Sequence, residues 1–121
     1  MGNERIFAME FSKVYPLLIA KAERKGRSRE EVYKVTTWLT GYTSEEVDNF
    51  LVSSVTYGEF FEKAPCPNEN RRLITGSVCG VKLAEIEDPL MLEIRYLDKL
   101  VDELAKGKPL EKILIPFLLM D

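Results

Sequence analysis

Three times within residues 28–59 a hydroxyl residue is followed, three positions on, by glutamate: Ser28 and Glu31, Thr43 and Glu46, Thr56 and Glu59. Each pair has the form of a capping box. The hydroxyl accepts from a free amide of the first helical turn, and the glutamate reaches back to the amide of the capping residue. A helix start leaves several amides without a partner, so this spacing reads as a start and not as a strand or loop. Starts so close together leave room only for short consecutive helices. The chain is predicted to be all-α.

The stops agree with the starts. Gly26 follows the basic end Lys21, Arg24, Lys25, and Gly41 follows Trp38-Leu39-Thr40. Glycine takes the left-handed conformation beyond a helix end at low cost. Ser12 is a further candidate cap, with Pro16 in the first turn or so, where proline is tolerated. Helices are expected near 12–25, 29–40, 44–53 and 57–64. Their apolar faces are Val14/Leu17/Leu18/Ala22, Val32/Val35/Leu39, Val47/Phe50/Leu51 and Phe60/Phe61/Ala64, at spacings of three and four.

Pro65-Cys66-Pro67-Asn68 breaks the chain into a loop. Residues 70–86 read two ways. Leu73, Ile74, Val78 and Val81 recur at helical spacing, whereas Gly76 and Gly80 weaken a helix and SVCGVKL could be a strand. A helix near 69–79 is the expectation, because a strand needs a second strand to pair with and none is evident.

Asp88-Pro89 is a cap with proline at the first helical position. Leu90, Ile94, Leu97, Val101 and Leu104 then run at spacings of four and three until Gly107, which predicts a long amphipathic helix near 89–106. The other face pairs Arg95 with Asp98, Lys99 with Glu103, and Asp102 with Lys106, each pair contributing only ~0.2–0.5 kcal/mol. The stripe is narrow enough to be either a core face or a seam for a partner helix. The segment 116–121 follows, with Phe117, Leu118, Leu119 and Met120 in succession. Burying such side chains contributes ~1.5–3 kcal/mol each, so they are expected to pack on this chain or on a neighbour.

Composition excludes several classes. The chain has 121 residues, which fits one domain over 1–121, and 45% of them are hydrophobic. A net charge of -3 argues against a dedicated nucleic-acid binder. Histidine is absent and the two cysteines, Cys66 and Cys79, fit no zinc spacing, so no metal or cofactor is expected. No apolar run approaches the ~20 residues of a membrane span, and no secretory signal opens the chain. A cytoplasmic protein that does not engage membrane is expected.

Several stretches carry candidate chemistry. WLTGYTSEEVDNFL followed by TYGEFFEKA has the local grammar of a helix-turn-helix, with 57–64 as the reading helix. Its side chains do not suit base reading. A reader aims arginine, lysine or amides at base edges, and this one offers glutamates and phenylalanines. Lys21, Arg24, Lys25, Arg27 and Arg29 form a basic cluster that could take phosphate or an acidic protein partner, or simply complement a helix end. Cys79, between Val78 and Gly80, is expected to be a buried inert thiol. Glu85, Glu87 and Asp88 read as a cap and solvated face, and Trp38 and Tyr42 as packing at a helix corner.

With the helices set out, ERIFAMEFSKVYPLLIAKAERKGRS, WLTGYT, EFFEKAP, EIEDPLM and IRYLDKLVDELAKGKPLEKIL resemble a small uncharacterised bacterial family, the domain of unknown function number 2200, over about residues 3–114. The resemblance implies a compact bacterial cytosolic protein. It carries no activity, ligand or catalytic residue to this chain.

The resulting expectation is an all-α fold of six or seven short helices around the 89–106 helix. Its function is expected to be non-enzymatic: a helical interaction protein, possible as a dimer or other homo-oligomer, docking through residues 21–29. Its candidate interface is Leu90, Ile94, Leu97, Val101, Leu104 and Phe117–Met120. A helix-turn-helix-like nucleic-acid binder is the alternative, and a small ligand-binding protein or enzyme the second.

Overall fold

The structure is a computed structural model that describes residues 2–114. Phe117–Met120 of the candidate interface lie outside the described residues. Helices α1 (Gly2–Ala8), α2 (Phe11–Arg24), α3 (Arg29–Thr40), α4 (Ser44–Leu51) and α5 (Tyr57–Glu62) come first. A 3-10 turn (Glu69–Leu73), strands β1 (Ser77–Val78) and β2 (Val81–Lys82) and a second 3-10 turn (Leu83–Glu85) follow. Helices α6 (Pro89–Ala105) and α7 (Leu110–Ile113) complete a mostly helical fold.

All three capping boxes form. The caps Ser28, Thr43 and Thr56 each accept from the third helical amide at 3.1 Å. Glu31, Glu46 and Glu59 close the boxes by accepting from the cap amides at 3.0, 2.9 and 3.0 Å. Gly41 ends α3 with φ +85, and a Cβ there would stand 2.7 Å from Cys66 Cβ. The loop after α5 docks here, with the amides of Cys66 and Asn68 donating to the Thr40 and Leu39 carbonyls at 3.1 and 3.0 Å. Glycine at position 41 thus serves both the reversal and the close approach.

The start of α2 departs from expectation. The cap is Glu10, not Ser12, and it makes no side-chain capping bond. Glu10 instead bridges Thr56, with Phe11 N–H donating to the Val55 carbonyl at 3.0 Å and Tyr57 N–H to the Met9 carbonyl at 2.6 Å. A distant segment satisfies the backbone that a local hydroxyl was expected to serve, and Pro16 consequently lies inside the helix. Helix α1 was not expected either. It packs on α5 where Gly58 lets Phe7 come close, a Cβ at Gly58 being only 3.0 Å from Phe7 Cβ.

The helix expected over 69–79 is absent. The 3-10 turn ends at Leu73, and β1 pairs antiparallel with β2 in register Ser77 with Lys82 and Val78 with Val81. Cys79 and Gly80, at φ +52 and +79, form the two-residue turn. The missing partner strand was inside the same stretch. Cys79 is exposed at the hairpin tip, not buried.

At the start of α6, Asp88 Oδ1 accepts from the amides of Leu90 and Met91 at 2.9 and 3.2 Å. Helix α6 packs against α2, α3, α5 and the hairpin. It buries Met91, Ile94, Tyr96, Leu97, Leu100, Val101 and Leu104, a stripe wider than a two-per-heptad seam, while Leu90 is half-buried. This chain therefore already fills the face formed by Ile94, Leu97, Val101 and Leu104. The predicted surface pairs Arg95–Asp98, Lys99–Glu103 and Lys106–Asp102 form at 3.0, 3.6 and 3.0 Å. The rest of the core is aromatic: Phe11 lies stacked between Tyr15 and Phe60, with ring centroids 4.7 and 4.2 Å away.

Candidate functional site

The five cations of residues 21–29 do not all face solvent. Lys21 turns onto α6, its Nζ 3.2 Å from Asp102 Oδ1. Arg27 is mostly covered. Its Nε and Nη2 donate to the two oxygens of Glu31 at 3.0 and 2.7 Å, and its Nη1 donates to the carbonyls of Leu104 and Lys108 at 3.0 and 2.7 Å. Carbonyls at a helix end lack intrahelical donors, so Arg27 caps the end of α6 from the turn between α2 and α3. Arg24 and Lys25 remain exposed at the end of α2. Arg29 is exposed and turns toward α4.

Helix α5, the reading helix of the nucleic-acid alternative, turns its phenylalanines inward. Phe60 and Phe61 of α5 are buried, as are Tyr57 and Gly58, which leaves Glu59 and Glu62 outward. Tyr42 is buried at the helix corner, its hydroxyl donating to the Phe60 carbonyl at 2.8 Å, and Trp38 is half-buried. Glu85, Glu87 and Asp88 line an open cleft of about 620 Å³ with Met91 and Arg95. Asp88 is committed there as a cap and Arg95 to Asp98. Among the described residues no three histidines, cysteines or carboxylates gather as a metal site would require. No helix among them is long and apolar enough to cross a membrane.

A second cleft of about 630 Å³ lies between α3 and α4, lined by Arg29, Glu30, Tyr33, Lys34, Ser44 and Asp48. The two helices fold back on each other across Gly41–Thr43, which brings Asp48 opposite the first turns of α3. At its centre Tyr33 Oη donates to Asp48 Oδ1 at 2.5 Å and accepts from Arg29 Nη2 at 2.7 Å. The Arg29 guanidinium carbon lies 5.0 Å from the centroid of the Tyr33 ring, and its Nη2 is 3.6 Å from Asp48 Oδ1. Tyr33 is buried, yet the side chains of Arg29 and Asp48 are 53% and 59% exposed. The ring fixes two charges whose remaining hydrogen-bonding edges meet solvent.

Burial pushes the Tyr33 phenol up from its ordinary value, and the hydrogen bond to Asp48 pushes it further. It stays a protonated donor near neutral pH. The cleft therefore offers fixed charges and an aromatic wall, and Tyr33 is no general base there. Sequence reasoning named Arg29 but missed Tyr33 and Asp48. The signal available was the four-residue step from Arg29 to Tyr33; nothing local marks Asp48, which arrives through the tertiary fold.

The solved structure titled "Crystal structure of uncharacterized protein SP1917" is similar to this chain at 51% identity, with a TM-score of 0.90 over 95% of this chain and 94% of that one. No curated protein matches this chain. The chain belongs to the bacterial family described as "Uncharacterized protein conserved in bacteria (DUF2200)", whose model matches residues 5–115.

Proposed function

We propose that this protein is a non-enzymatic interaction protein of the bacterial cytoplasm that docks a partner protein segment in the cleft between α3 and α4. The observation that carries the reading is the state of Arg29. Its guanidinium is stacked on a buried ring and bonded through Nη2 to Tyr33, while the Nη1 edge has no partner among the described residues. An arginine held this way has already lost much of its rotamer freedom, so it binds a carboxylate at lower entropic cost than a free side chain would. Lys34, exposed and lining the same cleft, adds a second cation for a partner carboxylate. The free, exposed thiols of Cys66 and Cys79 suit a reducing compartment.

An array of synthetic twelve-residue peptides of varied charge tests the reading. Binding to wild-type protein that disappears in a folded Arg29→Ala variant supports it. Binding that ignores this substitution moves the docking surface elsewhere.

Self-association is a second part of the proposal. Ile94, Leu97, Val101 and Leu104 are buried within the chain, so half-buried Leu90 and the apolar run Phe117–Met120 are what remain of the candidate interface. The nucleic-acid alternative draws no support from α5, whose outward charges include Glu59 and Glu62.

A further inference from the structure

We propose that the segment docked between α3 and α4 is dipolar, bringing a carboxylate to Arg29 and a cation to Asp48. This rests on the docking reading above and names the partner's chemistry. The cleft is not a plain anion receptor, because Asp48 sits 3.6 Å from the guanidinium and Glu30 lines the same wall. A lone carboxylate would gain Arg29 and Lys34 but meet both of these acids. A lone ammonium would meet the converse.

The unused edges define what fits. Tyr33 occupies Asp48 Oδ1 and Arg29 Nη2, which leaves Asp48 Oδ2 and Arg29 Nη1 without hydrogen-bond partners among the described residues. These edges are one donor and one acceptor, on two side chains that share the Tyr33 hydroxyl as a partner. A glutamate and a lysine one turn apart on a helix present opposite charges at neighbouring positions, about 5–6 Å apart at their Cβ atoms. Such a pair can engage both edges at once, with each partner charge opposite its complement. Like charges set against the site would instead repel a mismatched segment, so the arrangement favours selectivity over raw affinity.

The test titrates the isotope-labelled full chain with three synthetic helical peptides: glutamate-rich, lysine-rich, and mixed with glutamate and lysine four residues apart. The mixed peptide should shift the resonances of Arg29, Tyr33 and Asp48 and bind at least about tenfold more tightly than the others. Arg29→Gln and Asp48→Asn should each weaken it about tenfold. Both side chains are half exposed, and spectral dispersion reports whether each variant remains folded. Equal or tighter binding of the glutamate-rich peptide, with Asp48→Asn harmless, overturns the dipolar proposal and leaves docking standing. The mirror result with the lysine-rich peptide and Arg29→Gln also overturns it. No response at the cleft to any peptide sinks both the proposal and the docking reading.

Discussion

Arg27 grips Glu31 through two parallel hydrogen bonds, Nε to Oε1 at 3.0 Å and Nη2 to Oε2 at 2.7 Å, while its third nitrogen reaches the end of α6. One side chain thereby joins the α2–α3 corner to the far end of the central helix. It also fastens the first turn of α3, since the same Glu31 oxygen closes the capping box at 3.0 Å from Ser28 N. Arg27→Ala should lower stability by about 2–3 kcal/mol, because it strips charged hydrogen bonds from partly covered acceptors. Arg27→Lys should recover little, as an ammonium cannot reproduce the planar fork. Denaturant midpoints at constant m-value measure both.

The same pair sets an acid limb in the stability curve. Hydrogen bonding from Arg27, and then from the Ser28 backbone, lowers the Glu31 carboxyl from 4.5 to about 2. Its folded value lies below the unfolded one, so it contributes stability above about pH 4.5 that is lost as pH falls toward about 2. Solvent screening limits that contribution to about 1 kcal/mol, since the Glu31 side chain is 27% exposed. Asp98 has the opposite sign. Burial raises it, so its contribution is present at low pH and falls as pH rises through its folded value. Glu31→Gln should therefore cost about 1 kcal/mol at neutral pH and nothing near pH 2, with unfolding followed across that window.

Tyr57 is a case where removing a polar atom should help. It is 1% exposed, and its hydroxyl has no hydrogen-bond partner among the described residues. Its ring packs edge-on against Phe61, with centroids 5.1 Å apart. A buried hydroxyl without a partner costs ~1–3 kcal/mol. Tyr57→Phe keeps the ring and deletes the cost, so stability should rise by about 1 kcal/mol, seen as a melting temperature higher by several degrees. A fall would mean that a bound water serves the hydroxyl.

What could be read in advance follows the range of the interaction involved. Caps Ser28, Thr43, Thr56 and Asp88 act within three residues, and each is found where the sequence put it. The start of α2 depends on Val55 and Met9 backbone groups on either side of a long excursion, and Ser12 misled. The hairpin was misread for a different reason. Val78 and Val81 are three apart, which suits one helical face and equally a pair facing each other across a two-residue turn. Only the φ of Cys79 and Gly80 separates the two. The candidate cleft was half legible: Arg29 belonged to a visible charge cluster, but its partner Asp48 lies nineteen residues on, in another helix.

Residues 116–121 carry the last prediction. The face of α6 formed by Ile94, Leu97, Val101 and Leu104 is buried, with α6 packed against α2, α3, α5 and the hairpin, and Ile113 of α7 is buried as well. Deleting 116–121 should therefore shift the melting temperature by no more than a few degrees. The run Phe117-Leu118-Leu119-Met120 is nevertheless apolar enough to contribute ~1.5–3 kcal/mol per side chain on burial. If copies of the chain associate through it, deletion should reduce the solution mass seen by light scattering to that of one chain while leaving the circular dichroism spectrum unchanged. A large loss of helix on deletion would mean that the segment packs on its own core. An unchanged mass would remove it from self-association.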